Sequence, residues 1–68
     1  MTPKKFGNEI KRLRKSQHIN QQKMTKICEF RGSYIISRIE AGNYRVLTNI
    51  FKLIDKLGYD IEFKRKRM

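Results

Sequence analysis

Phe6, Ile10 and Leu13 recur at helical spacing, with Lys4, Lys5, Lys11, Arg12 and Lys15 largely on the other sides. That is the period of a helix with one apolar stripe. Thr2-Pro3 places a capping hydroxyl before a proline at the first helical position, so a first helix is predicted from about Pro3 to Gln17. His18 falls where this helix must stop, and Asn20 is a strong cap for a second helix over about Gln21 to Cys28, striped by Met24, Ile27 and Cys28. Glu29-Phe30-Arg31-Gly32 reads as a turn. A third short helix follows, with Ser33 as its candidate cap, Ile36 and Ile39 on one face, and Gly42-Asn43 as its stop.

The fourth helix has the widest apolar face, formed by Leu47, Ile50, Phe51, Ile54 and Leu57 and closed by Gly58. Neither Arg45 nor Val46 is a good cap; Thr48 is the first residue able to serve. The expected core is Phe6, Ile10, Leu13, Met24, Ile27, Phe30, Ile36, Ile39, Leu47, Ile50, Phe51, Ile54 and Leu57. The period then changes. Residues 59–64, Tyr-Asp-Ile-Glu-Phe-Lys, alternate apolar and polar positions as a strand does. Lys64-Arg65-Lys66-Arg67 forms a basic tail. The chain thus divides into a helical domain, 1–58, and a C-terminal strand and tail, 59–68.

A lone strand leaves a row of backbone donors and acceptors open. No second strand is visible, so the economical solution is a homodimer in which two copies pair antiparallel through Tyr59, Ile61 and Phe63 about a two-fold axis. An extended tail packed on its own helices is the plain alternative.

Composition narrows the chemistry. A chain of 68 residues is one small domain that gains from an added stabilising device. Cys28 is the only cysteine and His18 the only histidine, which excludes an internal disulfide and leaves no metal cluster. No cofactor is expected. With no long apolar run and no leader-like segment, a cytoplasmic protein without a membrane partner is the expectation. Seventeen Lys and Arg against six Asp and Glu give a formal charge of +11, which points to a polyanion through release of its condensed counterions. A soluble domain with a basic surface is the plain alternative.

Helix, short turn, amphipathic helix is the helix-turn-helix arrangement, in which a braced helix offers a polar outer face to the major groove. The run "RLRKSQHINQQKMTKI", then "SYIISRIEAGNY" and "NIFKLIDKLGYDI", resembles the Cro and lambda-repressor-like (XRE type) helix-turn-helix family over about residues 6–58. The carrying positions are Leu13-Arg14, Ile19-Asn20-Gln21, Met24-Thr25, Ile36-Ser37-Arg38-Ile39-Glu40 and Gly42. The turn at 29–32 is one residue longer than the family's pattern, His18 stands for its usual glycine, and Arg45-Val46 for a Pro-Ser pair. A C-terminal strand pairing across a dimer is similar to that of HipB-like antitoxin repressors. The resemblance therefore implies a mainly α, four-helix lambda-repressor-like domain with a short C-terminal β-strand.

It also implies roles. Ser33, Tyr34, Ser37 and Arg38 match base-reading positions. Arg38 suits either a bidentate contact to guanine or a phosphate, and Tyr34 either a thymine methyl or a phosphate. Asn20 and Gln21 match positions facing a phosphate, and Arg31, Asn43, Tyr44 and Arg45 lie in segments flanking the groove. Arg14 and Glu40 match a structural ion pair. Each polar stripe also reads as a solvated face, Asn20 as a simple cap, and Tyr44 as packing against the fourth helix. Cys28 reads as a small core residue.

No close carboxylate pair and no credible Cys28/His18 dyad supports an enzyme. The expected function is a sequence-specific repressor of transcription that binds double-stranded DNA as a homodimer on a near-palindromic operator. The second reading is an antitoxin that binds a toxin protein and represses its own operon; the third is a basic RNA-binding bundle.

Overall fold

A computed structural model describes residues 2–66. Four helices account for its regular structure: α1 (Pro3–Ser16), α2 (Gln21–Cys28), α3 (Tyr34–Glu40) and α4 (Leu47–Leu57). The starts follow the capping signals in part. Thr2 Oγ1 accepts from the Lys5 amide at 3.1 Å and Asn20 Oδ1 from the Lys23 amide at 2.7 Å. Ser33 makes no side-chain cap, because its own backbone is already helical (φ −67°, ψ −15°). α4 starts at Leu47 behind an uncapped Val46, so Thr48 lies inside the helix rather than before it.

All four helices are followed by a residue in the left-handed region: His18, Glu29, Gly42 and Gly58. The geometry turns the chain sharply and lets amides just past each helix satisfy its last carbonyls. Phe30 N–H, for example, donates to the Thr25 carbonyl at 3.0 Å, and Asn43 N–H to that of Arg38 at 2.8 Å. Two of these sites have no glycine, and a side chain there costs on the order of 1 kcal/mol.

The core gathers Ile10, Met24, Cys28, Ile36, Ile39, Ile50, Leu53, Ile54 and Leu57, with Phe6, Leu13, Ile19, Ile27, Phe30, Ile35 and Tyr44 half-buried around it. α3 packs on α1 and α2, and α4 closes the other side of both. Two expected core residues are outside: Leu47 is 61% and Phe51 53% exposed. Leu53, absent from the expected stripe, is fully buried. α4 is apolar over more of its circumference than one core can cover, so its buried stripe runs through 50, 53, 54 and 57 and leaves 47 and 51 on the rim.

Two glycines let α1 and α3 meet closely. A Cβ on the buried Gly7 would lie 2.5 Å from the carbonyl oxygens of both Ile39 and Glu40, and one on Gly42 would lie 2.8 Å from the Lys4 backbone. At the opposite end of α1, Gln17 Nε2 donates to the Leu57 carbonyl at 2.8 Å and ties the end of α1 to the end of α4. Among the described residues no helix is long and apolar enough to cross a membrane.

Residues 59–66 are neither helix nor strand. The alternation expected as a strand over 59–64 has no ladder to join within one chain, since every other regular element is helical. Arg67, the last residue of the expected basic tail, lies outside the described residues.

Candidate nucleic-acid interface

The site begins with α3, whose seven residues carry two opposed faces. Ile36 is fully buried and Ile39 2% exposed; they fix the helix against α1 and α2. Tyr34, Ser37 and Arg38 face solvent, with Ser33 half-buried at the start. The Arg38 guanidinium lies over the Tyr34 ring, 5.2 Å from its centroid, a cation–π stack one helical turn apart. These four expected base-reading residues therefore sit together at the start and along the outer side of one helix.

Two recesses lie near that helix, one along its side and one on α2 that reaches its start at Ser33. One, about 240 Å³, is lined by Tyr34, Arg38, Asn43, Tyr44, Arg45 and Asn49 among others. The second is a shallow groove lined by Asn20, Gln22, Lys23, Thr25, Lys26 and Ser33. Five bases, Lys23, Lys26, Arg31, Arg38 and Arg45, fall in residues 20–46, against only Glu29 and Glu40. Glu40 is sealed in an ion pair, so the exposed charge here is strongly positive. Arg31 is exposed in the turn but lines neither recess.

Lys23, Lys26 and Asn49 were not among the expected site residues. For the two lysines a signal existed: they follow Asn20 by three and six residues, on the same side of α2. Asn49 carries no such mark, because its placement depends on how the loop after α3 delivers α4.

The brace behind α3 is polar. Arg14 and Glu40 are each 6% exposed and form a two-pronged ion pair, Nε to Oε2 at 2.6 Å and Nη2 to Oε1 at 3.0 Å. Arg14 Nη1 also donates to the Ile19 carbonyl at 2.8 Å, which holds the α1–α2 turn. Gln21, another of the expected phosphate-facing residues, donates its amide to Glu40 Oε1 at 3.1 Å. It is half-buried, and this bond makes it the third member of the brace; one amide hydrogen is left uncommitted. Asn20 remains exposed while capping α2.

Tyr44, for which packing against the fourth helix was the alternative to a phosphate contact, makes an edge-to-face contact with Phe6 of α1, ring centroids 5.7 Å apart. Its half-buried ring anchors the loop that presents Asn43 and Arg45, both exposed. Cys28 is fully buried. Desolvation pushes its thiol pKa up, outweighing the opposing fields of Lys52 and Lys56, so the group is an inert core thiol. On the exposed face of α1, hydrogen bonds from Arg12 hold the Glu9 carboxyl below its usual range.

No protein-family model matches this chain, and no curated protein matches it significantly.

Proposed function

We propose that the protein is a sequence-specific, double-stranded-DNA-binding repressor of transcription, acting as a homodimer on a near-palindromic operator. The observation that carries this reading is α3: buried isoleucines on one side, and Tyr34, Ser37 and Arg38 in solvent on the other, with one recess beside Tyr34 and Arg38 and a second reaching Ser33, both lined with amides and cations. A helix so braced matches the width of the major groove. In this reading Ser33, Tyr34, Ser37 and Arg38 meet base edges. Asn20, Lys23 and Lys26 approach one phosphate strand, and Asn43 and Arg45 the other.

A dimer would bring two such helices to half-sites about 34 Å apart. A duplex selected from a random pool should show a consensus with two-fold symmetry and that spacing. A pool that returns no consensus, or duplex RNA competing equally well, sinks the reading, since the deep and narrow major groove of A-form RNA does not admit this helix.

The antitoxin reading shares this DNA chemistry and adds a protein partner. The apolar C-terminal face favours it, with Phe63 95% exposed. That face is also where a second copy of the chain would pair.

A further inference from the structure

The turn before α3 ends in Gly32, whose carbonyl accepts from the Ile35 amide at 3.3 Å. A Cβ at Gly32 would lie 2.8 Å from Cδ1 and 2.9 Å from Cε1 of Tyr34. The Tyr34 ring thus occupies the space that a side chain at position 32 would need. Gly7 and Gly42 make way for backbone, whereas Gly32 makes way for a side chain. One turn further on, the Arg38 guanidinium lies over that same ring, 5.2 Å from its centroid. Among the described residues Arg38 pairs with no carboxylate, and Lys23, Lys26, Arg31 and Arg45 stack on no ring. Gly32, Tyr34 and Arg38 therefore form a stepped arrangement in which each seats the next.

The arrangement has a physical consequence. A surface arginine samples many rotamers and must give them up when it meets a ligand. A guanidinium resting on an aromatic face has surrendered part of that freedom beforehand, while the N–H groups at its edge stay available to acceptors. The two acceptors on the major-groove edge of guanine suit that edge.

We propose that Tyr34 is a positioning residue: its ring, seated in the space that Gly32 leaves open, holds the Arg38 guanidinium ready for one guanine in each half-site. The Tyr34 hydroxyl is dispensable, and sequence preference passes through Arg38. The proposal rests on the DNA-binding reading above and assigns parts within it.

Duplex selected from a random pool by the full chain is the probe, compared with its single-base variants. Arg38→Ala should lose preference for one guanine per half-site. Tyr34→Leu and Gly32→Ala should each lower preference for that same guanine about two- to fivefold, the range of an exposed cation–π contact. Tyr34→Phe keeps the ring and should keep the preference. In the Arg38→Ala background, Tyr34→Leu should add nothing at that base pair. Melting temperature should barely move in these variants, since Tyr34 is 51% exposed and Gly32 has no positive φ to strain an alanine.

The free protein supplies an independent readout. The ring current of Tyr34 should shift Arg38 side-chain protons upfield in the unaltered chain and in Tyr34→Phe. Tyr34→Leu and Gly32→Ala should release them.

A Tyr34→Phe variant that falls as far as Tyr34→Leu overturns the proposal, because the hydroxyl then contacts DNA itself. Loss of preference at a different base pair in Tyr34→Leu overturns it too, as does an unchanged preference in both Tyr34→Leu and Gly32→Ala. Ring-current shifts in a chain that selects no duplex place the failure in the DNA reading. Their absence in a chain that does select one places it in the stack.

Discussion

The two sides of this small domain distribute their chemistry in opposite ways. At the α1–α3 joint, charge lies inside: Arg14, Glu40 and Gln21 are tied to one another, and backbone meets backbone at Gly7 and Gly42. At α4 and the segment after it, apolar groups lie outside, with Leu47, Phe51 and Phe63 more than half exposed. The joint satisfies its polar groups within the chain. The C-terminal face leaves apolar area uncovered. A region that closes on itself serves to hold a helix rigid, and one that does not is available to another surface.

The sharpest break in that contrast is Glu40→Ala. Leaving the buried Arg14 guanidinium without its carboxylate should cost about 3–5 kcal/mol and unfold much of the population, as read by urea denaturation. Arg14→Met combined with Glu40→Leu should recover most of the loss, because the charge is then removed rather than stranded. An unchanged midpoint for Glu40→Ala would mean the joint does not depend on the pair.

Next in size is a comparison within α4. Leu53→Ala removes a fully buried side chain and should cost about 2–5 kcal/mol. Phe51→Ser, on the rim, should move monomer stability by less than about 1 kcal/mol. Equal losses would erase the distinction between the two sides of the helix. Gly7→Ala should also be costly, by about 1–3 kcal/mol, because the atoms it meets are backbone carbonyls that cannot swing aside.

Smaller effects refine the picture. Glu29→Gly should raise stability by about 0.5–1 kcal/mol by relieving a left-handed side chain, measured as a higher melting temperature. The raised thiol pKa of Cys28 gives a pH signature. Its folded-state pKa lies above the unfolded value near 9.0, so the contribution is intact below that value and is lost as pH climbs towards the folded pKa. Cys28→Ala should cost stability at neutral pH but flatten the alkaline limb of the stability profile.

Much of this architecture was legible in the residues. The period fixed four helices, and α2 has the expected bounds because Asn20 marks its start and the chain turns left-handed at Glu29, directly after Cys28. The Arg14–Glu40 pair followed only from the resemblance, since no local pattern links positions 26 residues apart. The Leu53 error has a plain cause: α4 carries apolar residues over so much of its circumference that periodicity offers two stripes, and only the neighbours choose between them. Gly7 was silent because hydrophobic patterning records what a side chain prefers, not the contact that its absence permits. The phosphate-facing role of Gln21 came from the resemblance alone, and its bond to Glu40 had no local signal because the two positions lie 19 residues apart.

The close fit between α1 and α3 has a consequence for change over time. Because the isoleucines, the two glycines and the ion pair hold α3 without help from its outward side chains, positions 34, 37 and 38 contribute little to the frame. Those letters are free to be rewritten, by selection or by design, while the scaffold beneath them stays as it is.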